Sequence, residues 1–294
     1  LYAGDRFHEA AALAEQLVMA APAEPVSRKA ATIALASWQA LQRQPNDAWS
    51  REAVGQLARL TELLMRQWPE DTESAAAAML AIDQAAAAAD LAAIDTILGS
   101  VSPANSDRLQ VLLRGGVAIW QGCRRAAEKP DGGSRSAECR ERASFWLDEA
   151  LALAANQEAL PAEVVPVAVA AAIARCEIAL ARGGDETALL EPLLTHRRYG
   201  PWTVLAEPRQ EFAAPLVEAG LTCCLRGFTA AARYQPAAAA VAALRRLAAG
   251  REEVAVRLAV TAATVGRELV ETLRSPADTA AAVPPLPGLG LLSE

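Results

Sequence analysis

The 294-residue chain is poor in aromatics, with six Trp, three Tyr and four Phe, and it holds only two histidines. Sugar-cleaving sites and single-strand nucleic-acid platforms both rely on stacking aromatics, so this composition favours neither. There is no basic excess either: 28 Lys and Arg against 35 Asp and Glu leave a net charge of −7 at pH 7. Phosphate neutralisation needs concentrated positive charge, which argues against a nucleic-acid binder. No apolar run reaches the roughly 18 residues that a membrane span needs. The nearest, 164–174, ends at Arg175. The five cysteines (Cys123, Cys139, Cys176, Cys223, Cys224) contain no C-x-x-C pair, and His8 and His196 do not complete a zinc-ligand spacing. They are expected to be small buried thiols. A bridge between the neighbours Cys223 and Cys224 is disfavoured, because adjacent helical side chains diverge by about 100°. Gly115-Gly116 and Gly132-Gly133 lack the Lys-Ser/Thr of a phosphate loop. Neither histidine has a Ser or Cys partner in a recognisable nucleophile motif. The first residues, from Leu1, show no charged-then-apolar leader.

Alanine is abundant: 71 residues, within a hydrophobic fraction of 53%. Ala, Leu, Glu, Gln and Arg are strong helix formers. Alanine buries little area, so a core made of it needs many helices in close approach. Apolar stripes at i, i+3, i+4, i+7, set against Pro, Gly and cap signals, predict helices over 5–20, 27–44, 47–67, 72–88, 90–98 and 106–120. Six more follow over 136–155, 162–181, 185–195, 209–233, 237–249 and 251–274. Ser27, Thr72, Asp90 and Asp185 are placed as caps, and Gly183-Gly184 as a helix stop. The stretches 122–135 and 196–208 read as loops, and 275–294 as a Pro/Ala-rich tail or linker. No segment alternates with period 2. The class expected is all-α, built from antiparallel helix pairs in a row.

Proline spacing carries the internal periodicity. Pro22, Pro45 and Pro69 lie 23 and 24 residues apart, and Pro103 lies 34 beyond Pro69. Gly4-Asp5-Arg6-Phe7-His8-Glu9-Ala10 with Pro22 resembles the second half of a tetratricopeptide repeat. There the small Ala10 allows close helix approach, Phe7 fills the neighbouring gap and Pro22 closes the helix. Trp68-Pro69-Glu70-Asp71-Thr72-Glu73-Ser74 resembles the link between bacterial repeats, and Arg182-Gly183-Gly184-Asp185-Glu186-Thr187-Ala188 an intra-repeat turn. Ala14 and Leu17 depart from the family pattern, and helix lengths are irregular after about residue 105.

The resemblance implies a right-handed α-solenoid, a tetratricopeptide-like superhelix, over 1–274. Because residue 1 falls inside a repeat, the natural protein is expected to extend N-terminal of it. The resemblance further implies a non-catalytic scaffold that binds protein or peptide partners on a concave face, without cofactor or metal, and in a bacterial cell envelope or periplasm. The alternatives are an accessory superhelical domain of a larger enzyme, such as a cell-wall lytic enzyme, and an α/α-toroid enzyme with clustered carboxylates.

The candidate contact residues are Arg197, Arg198, Tyr199 and Trp202, in the charged aromatic loop His196-Arg197-Arg198-Tyr199-Gly200-Pro201-Trp202. Arg, Tyr and Trp are enriched in binding hot spots. A basic cluster (Arg124, Arg125, Lys129, Arg135, Arg140, Arg142) is diluted by four acids and reads as a solvated loop. Asp148/Glu149 and Glu207/Glu211 read as solvated helix faces. Trp38, Trp68, Trp120 and Trp146 lie on apolar faces and are expected in the core.

Overall fold

A computed structural model describes residues 6–21, 24–43, 47–127, 133–206, 211–249 and 252–274. Among these, every regular element is helical: thirteen α-helices and one 3₁₀ turn. The expected tail, 275–294, lies outside the described residues. The chain divides into two compact units, 1–150 and 151–294, with the boundary inside one long helix.

The first unit holds α1 (Phe7–Ala20), α2 (Pro25–Gln42), α3 (Asp47–Gln67), α4 (Thr72–Ala87), α5 (Leu91–Ser100), α6 (Arg108–Ala127) and most of α7 (Gly133–Asn156). One cluster joins Ala11, Ala14 and Val18 of α1 to Ala30, Ala31, Ala34, Leu35, Trp38 and Leu41 of α2, and both to Leu57, Leu60 and Leu64 of α3. Six of those twelve residues are alanines or smaller in effect than leucine, so the helices close on one another through Cβ atoms rather than long side chains. Trp38 is 2% exposed. Its indole N–H donates to the Glu15 carboxylate, which satisfies the one polar atom of a buried tryptophan. Glycine extends the same economy in α6: a Cβ on Gly115 would lie 2.7 Å from Leu98 Cδ1, and one on Gly116 2.9 Å from Leu147 Cδ2. Gly115-Gly116 thus serve helix approach.

Two serines tie consecutive helices together. Ser27 Oγ donates toward the Leu17 and Ala21 carbonyls at 3.2 and 2.5 Å. Ser74 Oγ does the same toward Leu64 and Trp68 at 2.9 and 2.5 Å. Both serines are buried, at 0% and 2%. Ser27 is not the cap that the sequence suggests. Helix α2 begins at Pro25 behind Glu24, and α4 at Thr72 behind Asp71, so Ser27 and Ser74 both sit in the first turn and reach back to the preceding helix end. Thr72 bonds the Glu73 carboxylate instead of capping. Donors and acceptors alike recur 47 positions on: 17 to 64, 21 to 68, 27 to 74. The buried registers follow, since Ala30, Ala31, Leu35 and Trp38 correspond to Ala77, Ala78, Ile82 and Ala85, all buried.

Asp90 does cap its helix, accepting from the Ala93 N–H at 3.0 Å. The turn before it puts Ala89 at φ 57°, with Asp90 N–H bonded to the Ala85 carbonyl at 2.8 Å. The α11–α12 turn repeats this: Ala232 has φ 55°, and Arg233 N–H bonds Phe228 O at 2.7 Å. Both are left-handed helix stops built on alanine, where glycine is the usual residue. Farther along, the buried Asn105 amide donates to the Pro69 and Asp71 carbonyls, both at 2.9 Å, and so pins the α5–α6 connection to the α3–α4 link.

The second unit holds the remainder of α7, α8 (Val165–Arg182), the 3₁₀ turn Gly184–Leu189, α9 (Leu190–Thr195), α10 (Pro201–Leu205), α11 (Ala214–Ala230), α12 (Tyr234–Ala248) and α13 (Glu252–Arg274). Its core gathers Val169, Ile173 and Cys176 of α8 with Leu190, Leu194, Leu205, Leu221, Leu225, Phe228 and Leu244. Gly183 stops α8 at φ 65°, as its sequence implies. Asp185 is not a cap, because the 3₁₀ turn already starts at Gly184 behind Gly183. Arg175, only 4% exposed, shares the Glu186 carboxylate with Arg182 at 3.0 and 2.5 Å. Burial raises the Glu186 pKa, but the two guanidiniums outweigh it and hold the carboxyl below its ordinary value.

The cysteine expectation needs correction. Cys123 and Cys139 form a disulfide, with Cα atoms 5.8 Å apart. Helix α6 runs through Cys123 to Ala127 and α7 begins at Gly133, so the stretch expected to be a loop over 122–135 is mostly helical and its two helices bring the thiols together. Cys176, Cys223 and Cys224 are free and buried, with no vicinal bridge. Burial raises the Cys224 pKa, and a hydrogen bond with Cys176 together with burial raises that of Cys223. Such thiols are inert at neutral pH.

Candidate functional site

The segment 196–202 folds inward. His196 and Tyr199 stack at 3.8 Å between ring centres, nearly parallel at 15°. Tyr199 is 6% exposed. Burial, then the nearby Arg198 and Arg197, push the His196 pKa below the usual histidine value, so the ring stays neutral at pH 7. The Arg198 guanidinium donates to the Ala155 carbonyl, tying the segment to the end of α7. Trp202 is half-buried in α10, edge-on to Phe228 at 5.8 Å. The expected loop over 196–208 therefore contains a short helix, started by Pro201 at its first position. Of the four candidate residues, Arg197 alone is exposed; Arg198 and Trp202 are half-buried and Tyr199 is buried.

Two of the other charged candidates sit in ion pairs. Glu149 meets Arg108 at 2.5 Å. Arg142 meets Glu138 at 2.8 Å. Arg125 donates to the Ala86 carbonyl. Lys129 and Glu207 lie outside the described residues, and Glu211 is exposed. Among the described residues no three His, Cys, Asp or Glu side chains converge as a metal site, and no helix is long and apolar enough to cross a membrane.

A concave feature that the sequence did not reveal lies between α1 and α3. It is a groove of about 190 Å³ lined by Glu15, Val18 and Met19 on one wall. Gln56, Arg59, Leu60, Glu62, Leu63 and Arg66 form the other. Its size falls below the roughly 300–1,000 Å³ of small-molecule sites but suits one or two side chains of a docked polypeptide. The floor is apolar: Val18 and Leu60 are buried, Leu63 is half-buried, and Met19 stands 65% exposed at the lip. Arg59 and Arg66 share the α3 wall with Glu62, and Glu15 stands on the α1 wall. Arg59 is braced by Gln56 at 3.1 Å, and Glu15 by the Trp38 indole. An apolar strip flanked by both signs of charge and fixed on helices can orient a peptide side chain. The signal in the sequence would have been Met19 and Leu63, which fall outside the buried rows of their helices.

No protein-family model, curated protein or solved structure matches the chain. Among the described residues the protein is all-α, and the Ser27 and Ser74 ties recur 47 positions apart.

Proposed function

We propose that the chain is a non-catalytic scaffold, a right-handed α-solenoid of tetratricopeptide-like helix pairs that binds a protein or peptide partner. The observation that carries this reading is the α1–α3 groove, which lies between two helix pairs of the same build, 47 residues apart. Repeats stacked in this way leave such furrows at each junction, and the furrow's width is set by the repeat rather than by any one ligand. Within that reading we place the contact in this groove. An oxidising compartment, such as a bacterial envelope, belongs to the same proposal and is supported by the Cys123–Cys139 bridge.

The test is selection from a displayed peptide library on the folded chain, followed by affinity measurement with purified peptides. Peptides that bind with one apolar anchor and lose at least tenfold in affinity against Leu63→Glu or Arg59→Glu support the groove. Selected peptides that bind both variants as well as the parent chain overturn it, provided circular dichroism shows the variants folded.

A further inference from the structure

The segment 196–202 carries the residue types of a contact site, yet the fold turns three of its four candidates inward. What holds them is a short latch centred on His196. The ring stacks on Tyr199 with 3.8 Å between centres. Its Nδ1 accepts the Arg198 backbone N–H at 3.4 Å. The Gly200 N–H bonds the His196 carbonyl at 2.8 Å, and a Cβ on Gly200 would lie 2.6 Å from that carbonyl oxygen. The turn is therefore closed tightly around the histidine, with the Arg198 guanidinium on the Ala155 carbonyl as its outer clasp.

The latch holds only while His196 is neutral. An imidazole that accepts at Nδ1 carries its one proton on Nε2, so the next proton goes to Nδ1. That turns the acceptor into a second donor aimed at the Arg198 N–H, and it adds a cation beside Arg197 and Arg198. Among the described residues no carboxylate answers it. The charged groups that act on the ring are Arg198 and Arg197. The elements packed on α9 and α10 bring Glu177 in α8, Asp185 and Glu186 in the 3₁₀ turn, and Glu218 in α11, while α9 itself holds Glu191. None of these acts on the ring. Glu186 is shared by Arg175 and Arg182, Glu191 is taken by Arg233 and Glu218 by Arg257. Arg226 of α11 is a further cation, and neither α10 nor 151–156 of α7 carries a charge. Arg198 adds to the imbalance, since its Nε is buried and finds no acceptor among the described residues. A buried donor left unmet lowers the cost of opening the segment that holds it.

We propose that His196 is a pH-sensitive latch: its protonation releases 196–199, uncovers Tyr199 and frees the Arg198 guanidinium, so that the contact segment is folded away at neutral pH and presented in acid. Burial first, then Arg198 and Arg197, hold the ring's pKa below its ordinary value in the closed segment. In the released segment the ring returns to about 6.5. The open form therefore takes up the extra proton. Closure loses free energy as the pH falls through about 6.5 and on to the lower, closed-state value. Each unit between the two values multiplies the open population by about ten.

The test uses the full chain and a His196→Gln variant, whose amide oxygen can accept the Arg198 N–H and takes up no proton in this range. The chain has two histidines, so the variant assigns the His196 ring signal against His8 in a proton NMR titration. His196 is expected to titrate below about 6.5. Hydrogen exchange of the 197–200 amides, corrected for the intrinsic rate, is expected to lose at least about fivefold in protection between pH 7.5 and pH 5. Protection in α8 and α11 is expected to hold, and 197–200 in His196→Gln to stay level. Four results overturn the proposal: a ring that titrates at or above about 6.5, unchanged protection of 197–200, an equal loss in His196→Gln, and a loss shared by α8 and α11, which is acid unfolding of the whole unit. Should His196→Gln fail to fold, His8→Gln assigns the same signal, and the other three results decide.

Discussion

Breaking the Cys123–Cys139 bridge is expected to cost the first unit about 3 kcal/mol. The two cysteines are 16 positions apart. In the chain-entropy account, releasing a loop of that size returns about 3 kcal/mol of freedom to the unfolded chain at 25 °C. Reduction tests this term with the least disturbance of packing. A Cys123→Ser, Cys139→Ser pair adds a second cost, because Cys123 is 3% exposed and a hydroxyl there needs a partner, worth about another 1 kcal/mol if none is found. Five of the six tryptophans fall within 1–150, so intrinsic fluorescence reports mainly on this unit. Urea unfolding followed by that signal, with and without reductant, is expected to separate by about 3 kcal/mol, or about 6–12 °C in melting temperature for a unit of roughly 150 residues. Thiol counting gives an independent check: the denatured, unreduced chain takes up three equivalents of alkylating agent, and five after reduction. Five equivalents without reductant, or a stability change below about 1 kcal/mol, refutes the reasoning.

Ser74→Ala and Ser27→Ala are each expected to cost only about 0.5–1 kcal/mol. The four carbonyls they touch already accept a backbone N–H, so no acceptor is orphaned, and alanine recovers some helix propensity; a loss above about 3 kcal/mol in chemical denaturation contradicts this. Ala89→Gly and Ala232→Gly are expected to stabilise by about 0.5–1 kcal/mol each. Relief of roughly 1–2 kcal/mol of left-handed strain outweighs the added freedom of the unfolded chain, and a lowered urea midpoint in either variant would show the turns to be differently built. Gly200→Ala is expected to cost more than about 3 kcal/mol or to prevent the second unit from folding, because its Cβ would lie 2.6 Å from the backbone oxygens of His196 and Leu194. Gly55→Ala, with nothing within 4 Å, is expected to stabilise α3 by up to about 1 kcal/mol, and thermal melts of the two variants should move in opposite directions.

Helix existence was legible because it rests on local signals: alanine-rich stripes, prolines at helix entry, and Gly183 at a stop. The misplaced features share a different origin. Ser27 and Ser74 carry a cap residue's chemistry, but each hydroxyl is spent on the preceding helix end, which becomes a partner only once the two helices pack. Cys123 and Cys139 frame a Gly-rich stretch that reads as a loop, and their pairing requires α6 and α7 to bring Cα atoms to 5.8 Å. Trp68, grouped with the core tryptophans, is half-buried against the cluster, whereas Trp38, Trp120 and Trp146 are 2%, 9% and 8% exposed. In the 196–202 segment, hot-spot residue types also anchor the segment to its own core, by a tyrosine stacked on histidine, an arginine on a carbonyl and a tryptophan edge-on to phenylalanine, while Arg197 stays exposed.

The repeat itself shows how a period can be present in a sequence and still be read at the wrong length. Pro22, Pro45 and Pro69 mark intervals of 23 and 24 residues, each one helix and its turn. Neither interval alone is a structural repeat, because a single helix cannot hide its apolar face. Taken together, Pro22 to Pro69 spans 47 positions, the same offset that relates Ser27 to Ser74, Leu17 to Leu64 and the buried rows of α2 and α4. The Pro69 to Pro103 interval of 34 encloses the shorter pair α4–α5, whose second helix has 10 residues where α3 has 21. Helix length, set by where each turn can close, therefore decides the period locally, while the serine tie marks one register in α1–α2 and again in α3–α4. If that is the organising constraint, moving Ser74 by one position, as Ser74→Ala with Ala75→Ser, should fail to restore the stability lost on Ser74→Ala, since the hydroxyl would rotate by 100° away from Leu64 and Trp68. Full recovery in that variant would mean the register is held by the alanine rows alone.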